Sequence, residues 1–425
     1  MMPLPYDRVL RGDLVLPDGI LRDGYVAVRG ESIAAIGEGE LPPARAVEDH
    51  SGRFILPGLV DGHMHTGSAI GWPGIEGATM SAAAGGVTTV CDMPYDVPRA
   101  VTDAAIFREK VEAVNALSHV DVALYGTIRK EGGVDAIAGL AEAGASAFKL
   151  STYEYDAVRF PRIDHPTMTA AFREIAKTGL MVAVHNEDQE LVERLTAEAR
   201  ASGRVDPIMH ARGFEIAAAF RGMGGRASGE ACIQYLCMTE EDLVRLKGFG
   251  KCNPPFRTAA EVERMWAALI DGRIAYVSTD HAPWPRARKL GDDIFACGAG
   301  LTGMQSFAPL MATLLLERGL PLTLMARYCA ENTARHHGLA PRKGAIRLGA
   351  DADFAVLEEG EFTFDEASIQ DREDARWSPY HGRPMKVRVA ATYLRGTRIW
   401  DGTTVSARPG QGRFLPRQHR ESVPL

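Results

Sequence analysis

A chain of 425 residues suits one large barrel or two ordinary domains, and 46% hydrophobic with 24% charged residues is the balance of a globular protein. A net charge of -7 with no basic block excludes nucleic acid and anionic membranes as natural partners; Arg413, Arg417 and Arg420 read as a solvated tail. No apolar run approaches the ~18 residues of a membrane span, and neither a leader pattern at Met1-Met2-Pro3-Leu4-Pro5 nor paired spacing among six cysteines is present, which predicts reduced thiols in a cytoplasmic protein.

From about Val9 to Phe54, short β-rich runs such as Asp13–Leu16, Gly24–Val28 and Ser32–Ile36 alternate with Gly and Asp turns, which predicts a small antiparallel unit. The middle alternates strand-like and helix-like segments, the pattern of a parallel α/β sheet or barrel. Strands are predicted at 55–61, 87–92, 120–126, 145–150, 180–185, 226–231 and 274–280. A helix is predicted from Thr102 to Ala116 behind a threonine cap. Thr239–Asp242 and Thr258–Glu261 have the form of capping boxes. After residue 343 the β texture returns, in Gly344–Arg347, Asp353–Leu357, Val387–Thr392 and Thr397–Trp400. Two β-rich ends around a different middle predict residues 1–56 and 338–425 as one β-sandwich and 57–337 as the parallel α/β sheet or barrel.

The apolar run Phe54–Val60 leads into Asp61-Gly62-His63-Met64-His65. Side chains at i and i+2 of a strand point the same way, so His63 and His65 can offer two imidazoles to one cation. Such a pair alone is weak. It gains weight because Lys149, His185 and Asp280 also end strand-like runs, at the face where (β/α)8 barrels build their active sites. Lys149 closes the apolar run Ala145–Phe148, where an unpaired ammonium is costly. One reading is a snorkelling or salt-bridged lysine. The other is an amine converted by carbon dioxide to a carbamate, which can bridge two cations.

These residues resemble the cyclic-amidohydrolase branch of the amidohydrolase superfamily: dihydroorotases, allantoinases, hydantoinases and dihydropyrimidinases. The likeness runs through Pro57–His65, Gly85–Pro94, Phe148-Lys149, Val184–Glu187, Asn253–Arg257 and Ser278–Pro283. It continues in Lys343–Ile346, Gly349–Asp353 and Ser378–Gly382, nearly the whole chain. The resemblance implies a metal-dependent (β/α)8 barrel with a β-sandwich, opening a hydantoin-, dihydropyrimidine- or allantoin-like ring. His63, His65 and Asp280 would hold one divalent metal, most simply zinc. A carboxylated Lys149 would bridge to a second, held by His185. Asp280 would carry the proton from the water to the leaving nitrogen. Asn253, His281 and the loop Gly298–Gly303 match substrate-facing positions. A homo-oligomer is implied by analogy.

Three features depart from the pattern. The helix and histidine-bearing sixth strand that follow the His185 strand are shortened away. Val205–His210 is the nearest replacement, with His210 as its ligand, although Pro207 suits a central strand poorly. Gly67 stands where dihydroorotases carry a carboxylate-binding arginine, which speaks against dihydroorotate. Tyr153 and Tyr155 straddle the place of a family tyrosine, and Glu154 occupies it. The missing stretch raises the alternative of a catalytically silent relative acting as a binding or assembly protein. Retention of five of the implied ligands favours the hydrolase.

Overall fold

Four strands open the chain: β1 (Tyr6–Leu16), β2 (Gly19–Arg29), β3 (Ser32–Glu38) and β4 (Ala44–Pro57). The structure is a computed structural model describing residues 6–201, 228–291 and 293–417. Successive residues of a strand face opposite sides, and the pattern uses this. Ile55 packs with Leu10, Leu14 and Val26, whereas Leu56 joins the main core with Leu59 and Val87. The expected strand 55–61 is in fact two strands. β4 ends at Pro57, and β5 (Leu59–Met64) begins a second sheet. Between them, a side chain on Gly58 would run into that of Thr88, so glycine is required for the crossing.

The second sheet is parallel, in the order β5, β6 (Val87–Asp92), β7 (Asp121–Gly126), β8 (Ala147–Ser151) and β9 (Met181–His185). Helices Gly74–Ala84, Ala104–Leu117 and His165–Thr178 lie between these strands in the chain. The cap of the second helix is Asp103 rather than Thr102, because the Asp103 carboxylate accepts the N–H groups of Ala105 and Ile106. Thr239 makes its capping box with Asp242, and Thr258 accepts the Glu261 N–H.

Two further parallel strands, β10 (Gly229–Cys232) and β11 (Ile274–Ser278), continue the wall. The chain beyond β11 closes on β5, where the His65 N–H donates to the His281 carbonyl at 2.8 Å. Among the described residues the barrel therefore has seven strands, with none between β9 and β10. Val205–His210, and with it His210, lies outside the described residues. β5 to β8 are buried at every residue, whereas β9 is half-buried at every residue.

The chain then returns to the first sheet with β12 (Phe354–Thr363), β13 (Pro384–Leu394) and β14 (Thr397–Trp400). Both termini thus build one seven-stranded sheet, ordered β14-β13-β12-β4-β1-β2-β3. It is not wholly antiparallel, since β1 and β4 run parallel. A buried ion cluster ties it to the barrel: the Lys343 ammonium bonds Asp121 on β7 at 2.6 Å and Asp353 at 2.7 Å. With Arg395 on Asp121 as well, the acidic trio Asp121, Asp351 and Asp353 is already neutralised by side chains and holds no place for a cation. No helix among the described residues is long and apolar enough to cross a membrane.

Candidate metal centre

β5 carries His63 and leads directly to His65, and β11 leads to Asp280, all at the C-terminal end of the barrel strands. A buried carboxylate sets their register. Asp61 accepts the Thr279 N–H at 2.8 Å and the Thr279 hydroxyl at 2.6 Å, which anchors the residue before Asp280. Asp280 itself has φ 49°, a left-handed conformation uncommon for a residue with a side chain. On the other side of β5, Asp92 accepts the Thr66 N–H at 2.9 Å and the Thr66 hydroxyl at 2.6 Å, which holds the loop after His65. Lys110, fully buried, neutralises Asp92 at 2.7 Å and Asp96 at 2.8 Å.

Each histidine has its outer nitrogen engaged. His63 Nδ1 lies 3.0 Å from the Glu230 carboxylate on β10, which also accepts the Ser278 hydroxyl. His65 Nδ1 lies 3.2 Å from Ser68 Oγ, which in turn donates to the Tyr95 carbonyl at 3.1 Å. With the protons on Nδ1, the Nε2 lone pairs of both rings face Asp280 Oδ1, each at 3.4 Å. The three donor atoms lie within 4.8 Å of one another. Burial works against charge on Asp280, but when the His63 and His65 rings are protonated their charge outweighs it and holds its carboxyl down at about 2. Burial likewise opposes charge on Glu230, and His63 again prevails, bringing it to about 2. The site therefore keeps two carboxylates ionised.

Lys149, 5% exposed, lies beside this group and forms no ion pair among the described residues. His185, at the end of β9, lines the same cavity, but its Nε2 is bonded to Glu187 at 2.6 Å. The cavity measures about 810 Å³. Its walls include Tyr153, Tyr155, Asn253, Ala299 and Gly300. Glu154, between the two tyrosines, turns away to pair with Lys130 at 2.8 Å.

Residues 54–378 match the amidohydrolase family. The chain belongs to that family. An allantoinase of Solibacter usitatus is 33% identical over 96% of this chain and 97% of its own length. An allantoinase of Rubrobacter xylanophilus is 34% identical, over 98% of each chain. The solved L-hydantoinase of Arthrobacter aurescens superposes with a TM-score of 0.91 at 26% identity, covering 97% of this chain and 100% of that one. This amidohydrolase falls in the branch that opens cyclic amides: it is a hydrolase of ring carbon–nitrogen bonds, and its family depends on metal. Nothing in these likenesses favours a silent relative.

Not every expected position faces the amidohydrolase cavity. His281 does not line it. The left-handed turn at Asp280 sends the next side chain inward, where His281 Nδ1 accepts the N–H groups of Gly303 and Met304 at 3.2 and 3.4 Å. Its Nε2 faces buried Asp371 at 3.6 Å, so it braces the loop Gly298–Gly303, of which Ala299 and Gly300 line the cavity, from behind. At Gly67 a side chain would collide with Asp96, so no arginine can stand there. Glu230 went unnoticed as a functional residue in the sequence because its partner is 167 positions away. Its one signal was a carboxylate inside a strand-like run.

Proposed function

We propose that this amidohydrolase opens an allantoin-type five-membered cyclic amide, using a divalent cation, zinc by preference, held by His63, His65 and Asp280. The observation that carries the reading is the convergence of His63 Nε2, His65 Nε2 and Asp280 Oδ1 on one point inside the cavity. Two imidazoles and a carboxylate, with the outer ring nitrogens already bonded, form a donor set of the kind zinc takes. When bound, the cation lowers the pKa of a water and polarises the amide carbonyl. Asp280, kept ionised, accepts the water's proton as oxygen adds to the ring carbonyl carbon. It returns that proton to the ring nitrogen as the carbon–nitrogen bond breaks, leaving a carboxylate and a freed urea nitrogen. Asn253 and the Tyr153 phenol face the cavity and are proposed to hydrogen-bond the ring.

Lys149 suits conversion to a carbamate. It is buried beside the two imidazoles with no ion pair among the described residues, where an ammonium would repel a cation. As a carbamate, with His185, it would hold a second cation. The test is metal content and turnover on allantoin, hydantoin and dihydrouracil, for wild type and Lys149→Ala prepared with bicarbonate. Wild type is expected to favour allantoin. Lys149→Ala should lose turnover, and short carboxylic acids should restore part of it. A zinc-loaded wild type that opens none of the rings refutes the proposed activity. Unchanged turnover and metal content in Lys149→Ala refute the bridging role.

A further inference from the structure

We infer that Arg159 sets substrate choice by binding an oxygen-bearing substituent on the substrate ring, a carboxylate or a ureido carbonyl. The inference rests on the proposed cyclic-amide reading and adds what the ring must carry. Arg159 stands in the loop between β8 and helix His165–Thr178, lines the cavity and is 8% exposed. Its Nη1 donates to the Tyr95 carbonyl at 2.8 Å. Its guanidinium carbon lies 6.0 Å from the ring centres of both Tyr155 and Trp284, which also line the cavity.

Among the described residues no carboxylate pairs with this guanidinium. Asp156 spends Oδ1 on the backbone N–H groups of Val158 and Arg159, at 3.0 and 2.8 Å. Asp96 is taken by Lys110 and by Trp72 Nε1 at 3.2 Å. A guanidinium carries five N–H donors and is always charged. Here one backbone carbonyl and two aromatic faces hold it, and the rest of its donor capacity meets no anion among the described residues. A buried charge without a counter-ion is unfavourable, and the cavity is the place from which an acceptor can reach it.

The distance to the chemistry is one tyrosine. Tyr95 donates its hydroxyl to the Lys149 carbonyl at 3.2 Å and offers its own carbonyl to Arg159. Its ring stacks on Phe160 at 3.7 Å, and Phe160 meets the His185 ring edge-on at 5.7 Å. A ring whose amide sits at His63, His65 and Asp280 can direct a substituent along this wall to Arg159. A planar fork of N–H donors matches a planar pair of oxygens or a carbonyl.

The test compares kcat/KM for hydantoin, hydantoin-5-acetate and allantoin in wild type, Arg159→Met and Arg159→Lys, each checked for zinc content and melting temperature. The expected result is that the preference for a substituted ring over hydantoin falls about 10²-fold in Arg159→Met. Arg159→Lys keeps the charge but loses the fork, and should give a smaller fall. A loss confined to hydantoin-5-acetate identifies the carboxylate, and one confined to allantoin identifies the ureido carbonyl. An unchanged preference in both variants overturns the inference. If Arg159→Met does not fold, Arg159→Lys alone decides by the same ratio. If wild type opens no ring, the proposed activity fails, and calorimetric binding of the three compounds judges Arg159 separately. Tighter binding of a substituted ring, lost in the variant, supports it; equal binding of all three overturns it.

Discussion

The two flanks of the cavity are built from the same kind of strand and end in the same kind of residue, yet they differ in rigidity. On one flank β5 is buried throughout, and His63 and His65 each have one nitrogen tied to Glu230 or Ser68 and the other free to coordinate. On the other, β9 is half-buried at every position, and the nitrogen of His185 that could coordinate is bonded to Glu187. A ligand held by its outer nitrogen in a dry wall is oriented before a cation arrives. A ligand whose donor atom is already engaged must first give up that bond. The first flank therefore offers a pre-oriented candidate cation site by itself, and the second depends on what binds.

The largest expected effect tests the chemistry of the dry flank. Asp280→Asn keeps the shape and removes the base, so turnover should fall roughly 10²–10⁴-fold while most of the metal stays. Rates and metal content of the same preparation check this, and a near-normal rate would take proton transfer away from Asp280.

A second prediction asks whether that flank is as dry as its packing implies. Under β5, buried His337 lies with Nδ1 2.8 Å from the Thr333 carbonyl, and its Nε2 accepts the Tyr125 hydroxyl at 2.7 Å. Burial lowers its pKa from 6.5 to about 4. The native state then binds fewer protons than the unfolded chain between those values. Stability is complete above about pH 6.5 and declines by about 3 kcal/mol as pH falls through 4. His50, lowered to about 4 chiefly by burial, slopes the same way, so the comparison is with His337→Gln. Urea unfolding at pH 7 and 4.5 should show a shallower pH slope in the variant. Equal slopes would mean that water reaches His337.

The smallest effect sharpens the contrast directly. Glu230→Gln should weaken the tightest cation about 10–100-fold. Glu187→Gln, on the open flank, should leave that affinity unchanged. Chelator competition measures both, and equal losses would erase the distinction between the flanks.

Much of this was legible from local pattern. Strands at 87–92, 120–126 and 274–280 read as short apolar runs, as expected of parallel strands buried on both faces, and the structure moves each boundary by two residues at most. The structure differs where local pattern leaves more than one outcome open. The run 55–61 is apolar throughout, so nothing local marks the break at Gly58 that Thr88 imposes. Asp103 and Thr102 are both good caps, and only the backbone direction chooses between them. His281 follows the aspartate of the site, and a left-handed turn sends it elsewhere.

The sequence by itself determined the barrel class and singled out His63, His65 and Asp280, which the structure brings together at one end of the barrel, because apolar runs and residue type are local properties. Tertiary structure alone decided which nitrogen of each histidine is free, that Glu230 and Ser68 make it so, that a side chain at Gly67 would collide with Asp96, and that Arg159 faces the cavity with no counter-ion among the described residues. Apart from the bond between His65 and Ser68, three residues on, each of these is a contact between groups far apart in the chain. Hydrogen-bond direction, steric room and desolvation exist only once the fold has brought those groups together.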